Sequence, residues 1–435
     1  MISRTTHASP LQHVLEMQRA RVGVDCCVEK FWRYVIVCWL KSNVLFARKI
    51  LFMTVSERSS AASPPKDESQ KNSLALPSGI GFLLRLVLVA GVVGVLMWRA
   101  DVNIGSIGQG LALALVGVGV FITFRVLNFP DLTVDGSFPI GGAVAAAAIT
   151  SYGLAAEWSL LLAFGAGALT GGVTALIHVM FDIEGLLASI IVATGAYTIT
   201  LRTMGTSNIP LINERTVLTP YEDGMRSWLV ATFGDGLRRQ SNNMVEIIVF
   251  LVVVGATIWL LNWFLHTEIG LALRAAGRNS QMVRALGAND KLMVVIGLMV
   301  SNGLAGLAGA LFVQQAGFAD VQMGVGMIIR GLAAVMIGEV LLRPRRVGQA
   351  IVAAAVGMLV FEISKALVFS LDLVINGEKF RFDASDVRLI SSLVVLAALA
   401  APNVAQRWRA WRQKRNNKLA MDGGEAGRSA IYAED

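Results

Sequence analysis

Apolar runs of about twenty residues recur along the chain between residues 82 and 401. A helix of that length spans the ~30 Å hydrocarbon core of a bilayer, because each residue adds 1.5 Å. The whole chain of 435 residues is 55% hydrophobic, whereas soluble domains contain about 45–50% apolar residues. This pattern predicts an all-α polytopic membrane protein and excludes an ordinary soluble domain.

The apolar runs divide into about ten predicted transmembrane helices. The third and the last are short, and each is expected to be tilted, broken or partly interfacial. The ten predicted spans are 82–98, 106–126, 138–151, 158–180, 186–201, 244–265, 292–313, 325–342, 347–370 and 387–401.

Basic residues favour one orientation for these spans. The segment 266–291, HTEIGLALRAAGRNSQMVRALGANDK, is a polar insert between two apolar runs. Because Lys and Arg are enriched in cytoplasmic loops, we place it in the cytoplasm, and span counting brings the basic tail 403–435 to the same side. Both termini are therefore expected to be cytoplasmic and the loop 202–243 external. Two interpretations of that loop remain open: a solvated connector, or a gate or docking surface for an external partner.

The regions outside the transmembrane part, 80–402, differ in composition. Residues 1–52 show no membrane pattern, and we interpret them as disordered or as an over-extended reading frame. Residues 53–79 are rich in Ser, Pro and Lys, which is typical of a disordered cytoplasmic leader. The basic tail is interpreted as a positive-inside anchor rather than a nucleic-acid site. The three cysteines all lie before residue 39, too few for a disulfide framework or a tetrahedral zinc site.

The segment 266–291 is rich in residues that favour helix, namely Leu, Ala, Arg, Gln and Met. Gly277 within a single helix would cost about 1 kcal/mol relative to Ala. We therefore predict two short helices at the membrane surface, hinged near Gly277 to Ser280 and ending at Gly287. A helix in this position is well placed to be pushed by something outside the membrane.

A short motif occurs twice. Phe129-Pro130-Asp131-Leu132-Thr133-Val134 and Phe318-Ala319-Asp320-Val321-Gln322-Met323 both have the pattern F-x-D, apolar, polar, apolar, and they lie 189 residues apart. The same offset relates Gly142 to Gly331. Five spans separate the copies, and an odd number inverts the second copy, so we predict a 5+5 inverted repeat. In transporters of this design the helix breaks often line the substrate route.

Polar residues near the breaks are candidates for the substrate path. For Asp131 and Asp320 an alternative is helix capping, because a carboxylate near a helix start accepts bonds from free backbone N–H groups. Asn128 has the same alternative, and Asn302 is a candidate for a pore position or an interhelix hydrogen bond. Elsewhere, Glu362 and Lys365 share a helix face and are expected to pair. The candidate path residues are Asn128, Asp131, Asp135, Asn302 and Asp320.

Motifs for chemistry are absent from the sequence. No G-x-x-x-x-G-K-[ST] phosphate-binding loop occurs, so the chain has no nucleotide site of this kind. No H-E-x-x-H, G-x-S-x-G or Cys-x-x-Cys occurs either. We predict no catalytic residue and no metal site, and therefore a protein that is not itself an enzyme.

Three stretches together carry a family resemblance. The first is Leu127-Asn128-Phe129 after the second span. The second runs from Gly270 to Gly287 and matches a cytoplasmic G-x-x-x-R-A … A-x-x-x-G pattern, and the third is the glycine-rich region 303–338. Over roughly residues 80–400 the chain resembles the integral-membrane permeases of ATP-binding-cassette importers, in the branched-chain amino acid permease superfamily. The run Pro130 to Gly136 departs from branched-chain transporters and is closer to the tryptophan/tyrosine-type uptake permeases.

The resemblance implies a transport subunit of the bacterial inner membrane that moves a small solute, an amino acid or a related compound. A second permease subunit, identical or different, would pair with it. Cytoplasmic ATPase subunits would carry ATP and Mg and bind the segment 266–291, and an external binding protein would deliver the solute. No cofactor would be bound by this chain, and no nucleic acid is implied. The implied coupling residues are Arg274, Ala275, Gly277, Arg278, Arg284, Leu286 and Gly287.

Two other classes of protein are weighed against this one. An ion-coupled secondary transporter would use intramembrane carboxylates to bind protons or sodium, but it has no need of an ATPase-docking helix such as 266–291. An enzyme of membrane lipids is disfavoured because the sequence lacks a catalytic constellation.

Overall fold

A computed structural model of the chain describes residues 78–99, 105–212, 214–221, 224, 238–370, 373–375 and 378–380, with single positions beyond. These residues belong to the second of two compact units, Leu76–Asp435. The predictions for 1–52 and for most of 53–79 fall outside the described residues. So do those for the last span, 387–401, and the tail, 403–435, apart from scattered positions.

Helices make up most of the described residues, and two small antiparallel sheets accompany them: β1 pairs with β2, and β3 with β4. The elements in chain order are α1 (Ser78–Arg99), α2 (Gly105–Phe121), a π-helix (Ile122–Val126), α3 (Val134–Thr150), α4 (Ala156–Phe181), α5 (Gly185–Met204), β1 (Asn208–Pro210), α6 (Arg238–Phe264), α7 (Glu268–Arg278), α8 (Ser280–Ala285), α9 (Asp290–Ala316), β2 (Phe318–Asp320), α10 (Met327–Leu342), α11 (Val347–Phe369), β3 (Leu373–Ile375) and β4 (Glu378–Phe380).

The helices coincide with the first nine predicted spans. Among the described residues, 6 helices are long and apolar enough to cross a membrane, and α1 and α3 contain shorter apolar stretches. The class predicted from the sequence, a polytopic all-α membrane protein, is confirmed. The third span begins at Val134 instead of residue 138 and is a continuous helix, not a broken one. Nearly all of α3 is buried, because its Gly and Ala residues let neighbouring helices enclose it.

Two helix breaks interrupt this bundle, and both contain an F-x-D motif. The first break, residues 127–133, follows the π-helix; Asn128 has a φ of 54°, and Pro130 lacks the N–H that a continuing helix needs. The second break, residues 317–326, begins where Gly317 ends α9 at a φ of 75° and ends where Gly326 precedes α10 at a φ of 79°. Each break therefore occurs where the residues disfavour a continuous helix, through a proline without an N–H or through a positive φ.

Helix α9 lies at the centre of the described bundle and packs against α2, α3 and α4. Glycines allow the backbones of these helices to come into direct contact. A β-carbon on Gly141 of α3 would overlap the backbone of Gly306, and one on Gly309 would overlap the carbonyl oxygen of Phe138. On the α4 side, a β-carbon on Gly167 would lie 3.1 Å from the carbonyl carbon of Asn302. The small residues of these spans therefore serve helix packing, as the sequence indicated.

The helix contacts around the first break resemble those around the second. Helix α4 packs on α9, while α11 packs on α2. Each short helix that follows a break packs on the next helix in the chain, α3 on α4 and α10 on α11. The same order of elements therefore occurs twice: a long helix, a break, a short helix and a second long helix. The second long helix of each set packs on the first long helix of the other set.

Candidate coupling site and the two breaks

The segment 266–291 forms two short helices, as predicted. Helix α7 begins where the Thr267 side chain accepts a bond from the Gly270 N–H, at 3.3 Å. Asn279 has an extended φ of −156° and separates α7 from α8, and its side chain accepts a bond from the Met282 N–H at 3.0 Å. A turn at Gly287, with a φ of 83°, ends the pair. Ser, Thr, Asn and Asp side chains are the usual caps at such positions.

Gly277 lies inside α7 and is not itself the hinge. A β-carbon on Gly277 would overlap the carbonyl oxygen of Val126 and would lie 2.9 Å from both Cα and C of Leu127. The missing side chain therefore serves close contact between α7 and the first break. The bend is provided by Asn279, because its side chain caps the following helix.

A second contact joins the same elements from the side of α9. A β-carbon on Gly297 would lie 3.0 Å from a methyl carbon of Leu127 and 3.3 Å from one of Leu273. Leu273 is the residue of α7 whose side chain is completely buried. Helix α7 therefore packs directly against the end of the π-helix and the first turns of α9.

The opposite side of the segment is exposed. Met282 is 57% exposed and Leu286 is 73% exposed, and Arg278 and Arg284 are exposed as well. Arg284 pairs with Asp290 across 3.3 Å, and the Arg274 guanidinium donates to the carbonyl oxygen of Leu265 at 3.5 Å. Of the implied coupling residues, the partly buried Gly277 contacts the first break, whereas Arg278, Arg284 and Leu286 lie on the exposed side. Ala275 is partly buried, and Gly287 is exposed at the terminal turn.

The first break is held by a buried polar network. Asp131 accepts from the Thr133 N–H at 2.8 Å and from the Asn302 side-chain amide at 2.7 Å. The Ser137 hydroxyl donates to the side-chain amide oxygen of Asn302 at 2.7 Å, and the hydroxyls of Thr133 and Thr174 lie 2.8 Å apart. All five side chains are completely buried. The network joins the break, α3, α4 and α9, so Asp131 and Asn302 do not face solvent in this structure.

Asp135 connects the first break to the second. Its carboxylate accepts from the Ile328 N–H at 2.7 Å and from the Gly326 N–H at 3.2 Å. These amides begin α10, so a carboxylate from the start of α3 caps the start of α10. A carboxylate at a helix N-terminus is stabilised by the free amides and by the helix dipole.

The second break is held differently. Asp320 accepts from the N–H of Gln322, two residues later, at 2.7 Å. Asp131 accepts in the same way from the N–H of Thr133. Asp320 is only partly buried and lies in β2, which pairs with β1. Asn128 is exposed, and within the described residues its side chain makes no hydrogen bond, so the predicted cap is not formed there. Of the five candidate path residues, Asp131 and Asn302 are brought into direct contact.

Several residues of the site were not identified from the sequence. Thr133, Ser137 and Thr174 complete the network, and Arg125 of the π-helix forms an ion pair with Glu339 of α10. A polar side chain in an apolar span was the available signal for Ser137 and Thr174. The Glu362–Lys365 pair predicted from spacing is confirmed and is buried. No group of three potential metal ligands occurs among the residues that were described.

The network makes a quantitative prediction. Replacing Asn302 with Ala removes three side-chain hydrogen bonds, to Asp131, Ser137 and the Leu298 carbonyl oxygen, and leaves the Asp131 carboxylate and the Ser137 hydroxyl short of a partner. We expect a loss of about 3 kcal/mol or more of stability, because truncating one partner of a buried charged group costs more than a neutral bond contributes. Thr174→Val, the matched control, removes only neutral bonds, to the Thr133 hydroxyl and the Thr170 carbonyl oxygen, and should cost about 1–2 kcal/mol. Thermal unfolding of both purified variants in the same detergent measures this, and equal losses would contradict it.

Comparison with known proteins places the chain among permeases. A family model described as "Branched-chain amino acid transport system / permease component" matches residues 103–399. A tyrosine transport system permease protein of Clostridioides difficile (strain R20291) is 32% identical over 296 residues, which cover 68% of this chain and 90% of the relative. An uncharacterized protein of Rickettsia prowazekii (strain Madrid E) is 28% identical over 305 residues, 69% of this chain and 98% of the relative.

A shorter match reaches another permease. An autoinducer 2 import system permease protein of Salmonella paratyphi B is 33% identical over 82 residues, 19% of this chain and 24% of the relative. No solved structure matches the chain.

The matched region contains both breaks, the segment 266–291 and the helices that hold them. The resemblance drawn from the sequence is confirmed. The chain belongs to the family of branched-chain amino acid transport system permease components, and it is the permease subunit of an ATP-binding-cassette importer, a multi-pass protein of the bacterial inner membrane.

Proposed function

We propose that this permease imports an amino acid or a related small solute, and that ATPase subunits drive it by moving α7 against the first break. The observation that carries the proposal is the contact of Gly277 with Val126 and Leu127, because it leaves no side chain between α7 and the break. The relative that is named as a tyrosine transport system permease supports the amino acid class.

We further propose that the chain is a 5+5 inverted repeat with ten spans and cytoplasmic termini. Residue pairs related by the 189-residue offset support it. A β-carbon on Gly142 would lie 3.2 Å from the Gly309 carbonyl oxygen, and one on Gly331 would lie 2.6 Å from a methyl carbon of Val120. Gly142 corresponds to Gly331, and Gly309 corresponds to Val120, in both cases by the 189-residue offset. A two-fold axis relates contacts in this way. Asp135 and Gly324, related by the same offset, are in contact with each other.

The two breaks then lie near opposite faces of the membrane. Helix α9 begins beside α8 and ends at the second break. Its 27 residues correspond to about 40 Å, which is the thickness of a bilayer with its headgroups. With the segment 266–291 in the cytoplasm, the first break is cytoplasmic and the second is external.

The proposed motion passes through residues that the structure places in contact. A push on α7 displaces residues 126–127, and the ion pair of Arg125 with Glu339 couples the π-helix to α10. Asp135 couples the start of α3 to the start of α10. ATP shifts the permease between inward- and outward-open states only if the ATPase binds the two states with different affinity. The residues Asn128, Asp131, Asp135, Asn302 and Asp320 are proposed to lie beside the route that these movements open.

The remaining partners are supplied by other chains. A second permease subunit completes the transporter, the ATPase subunits hold ATP and Mg, and an external solute-binding protein delivers the substrate. The permease itself contributes the route and performs no hydrolysis.

The docking surface for the ATPase is proposed to be the exposed side of α7 and α8. We expect Leu286→Asp to abolish copurification of the ATPase subunit, because it places a charge within the proposed docking surface. The side chain is 73% exposed, so the permease itself should stay folded. The matched control is Leu154→Asp, another exposed leucine, in the connection between α3 and α4. Pull-down of the tagged permease with its ATPase measures the effect, and full recovery by L286D would overturn the docking surface.

Transport by the purified complex distinguishes the proposal from ion-coupled transport. Uptake of radiolabelled tyrosine into proteoliposomes, with the solute-binding protein present, should require ATP and persist when proton and sodium gradients are collapsed. Uptake that continues without ATP and stops with the gradient would contradict ATP coupling.

A further inference from the structure

The first turn of α10 contains a charged side chain that no contact described so far accounts for. Arg330 lies in this turn and is only partly buried. Its guanidinium donates no hydrogen bond and forms no ion pair with any residue that the structure describes. A charged group inside a membrane-spanning segment is costly unless it has a partner or reaches the membrane surface. The depth of Arg330 in the membrane therefore decides what its charge can do.

This depth follows from the contact between α3 and α10. Asp135, which accepts from the Ile328 N–H, is 15 residues from the end of α3 at Thr150, and Ile328 is 14 residues from the end of α10 at Leu342. These lengths are about 22 and 21 Å at 1.5 Å per residue. In the proposed topology the two helices end on opposite faces, and a bilayer with its headgroups is about 40–45 Å thick. The contact therefore lies near the middle of the membrane, and Arg330, about 18 Å from the end of α10, is too deep to reach the cytoplasmic surface.

Asp135 brings the opposite charge to the same depth. Its Oδ1 accepts from the Ile328 N–H at 2.7 Å and its Oδ2 from the Gly326 N–H at 3.2 Å. The positive charge of Arg330 acts on this carboxylate, although the two side chains do not form an ion pair. A carboxylate has about four lone-pair sites, so each oxygen of Asp135 can accept from one more donor. The two opposite charges are thus neighbours, and both can bind a further group.

Neither charge has a counterpart in the other half of the proposed repeat. By the 189-residue offset, Asp135 corresponds to Gly324 and Arg330 corresponds to Gly141. A feature that the fold needs in both halves would be expected at both positions. An acid from one half and a base from the other therefore meet once in the chain, where the two halves are in contact. This single occurrence favours the binding of a ligand over a role in the architecture of the bundle.

An amino acid carries both complementary charges on its α-carbon. Its ammonium group can donate to a carboxylate, and its carboxylate can accept two parallel hydrogen bonds from a guanidinium. We propose that Asp135 and Arg330 form a binding site for this zwitterion in the middle of the membrane, with the ammonium group on Asp135 and the carboxylate on Arg330. Val325 and Ile329 beside them are 59% and 53% exposed, so an apolar amino acid side chain has a surface to contact. The proposal rests on the proposed function, because it names how the imported solute is recognised.

Ligand binding to the complex tests the site. The permease–ATPase complex in nanodiscs, without the solute-binding protein, is offered the proteinogenic amino acids, and saturation-transfer difference NMR identifies and titrates those that bind. We expect Arg330→Met to raise the Kd of the bound amino acid at least tenfold. Arg202→Met, the matched control on the exposed last turn of α5, should keep the wild-type Kd. Copurification of the ATPase and an unchanged unfolding temperature show that both variants are folded, and a wild-type Kd for R330M overturns the inference.

Analogues of the bound amino acid separate recognition from a structural role. Its carboxamide lacks the negative charge, and its deaminated acid lacks the ammonium group, so each should bind the wild type at least tenfold more weakly. The carboxamide should bind R330M and the wild type equally, and the deaminated acid should bind Asp135→Asn and the wild type equally. If the wild type bound the carboxamide as tightly as the amino acid, the site would be overturned. A further loss of carboxamide affinity in R330M would show a structural role and would overturn it as well.

Uptake keeps this site and the proposed function distinguishable. The same amino acids, radiolabelled, are offered to proteoliposomes that contain the complex, ATP and the solute-binding protein. Import by the wild type without any binding in nanodiscs overturns the site and leaves the proposed function standing. Absence of import for every amino acid overturns the proposed function.

Discussion

Replacing Gly306 with Ala is expected to prevent α9 from packing between α3 and α4. A β-carbon there would overlap the Ala163 carbonyl oxygen and lie 3.1 Å from the Gly167 Cα, while Gly141 presses on the same residue from α3. Neither neighbour can turn aside, because both are backbone atoms. Overpacking costs about 1–3 kcal/mol even where side chains can adjust, so we expect a loss at or above the upper end of that range, measured by thermal unfolding in detergent.

Gly165→Ala is the matched control for this substitution. Gly165 lies in α4, and a β-carbon there would meet nothing within 4 Å. Alanine favours helix by about 1 kcal/mol relative to Gly, so the control should be as stable as the wild type or slightly more stable. An equal unfolding temperature for the G306A and G165A variants would contradict close packing at Gly306.

Replacing Gly277 with Ala should uncouple the transporter without unfolding it. The β-carbon would overlap the carbonyl oxygen of Val126, so α7 has to withdraw from the first break. The substitution favours helix in α7 itself, and any loss of function must therefore come from the contact. We expect the complex to hydrolyse ATP while uptake of the proposed amino acid substrate per ATP hydrolysed falls at least tenfold in proteoliposomes, since a separation of about 1.4 kcal/mol between coupled and uncoupled states suffices for that factor.

Gly255→Ala provides the comparison for G277A. Gly255 lies within α6, and a β-carbon there would also meet nothing within 4 Å. Uptake per ATP should stay at the wild-type value in G255A. If uptake per ATP were the same in G277A and G255A, the contact of α7 with residues 126–127 would not couple ATP hydrolysis to transport.

The short helices α7 and α8 were predictable because their signals are local. Thr267 and Asn279 cap helices within three residues of themselves, and Gly287 takes the positive φ that a helix end permits. Each of these features is decided by a few neighbouring residues, and the sequence lists those neighbours in order.

The buried network could not be predicted in the same way. Asn302 and Asp131 are 171 residues apart in the chain, and Arg125 and Glu339 are 214 apart. A single sequence shows a polar residue in an apolar span but not which helix face it occupies relative to a distant partner. The predicted hinge range, Gly277 to Ser280, contains Asn279, where the two helices separate. The contact of Gly277 with the first break was missed, because a glycine that permits contact and a glycine that permits bending look alike in a sequence.

What the sequence determined by itself was the class of the protein, the positions of its apolar helices, the two F-x-D breaks and the polar segment between spans. These follow from length, hydrophobicity and local backbone restrictions, which act over a few residues. The tertiary structure alone decided that α7 contacts the first break and that β1 covers the second. Such contacts depend on how closely glycine-lined helices approach one another, and that distance is set by the whole bundle and not by any one segment.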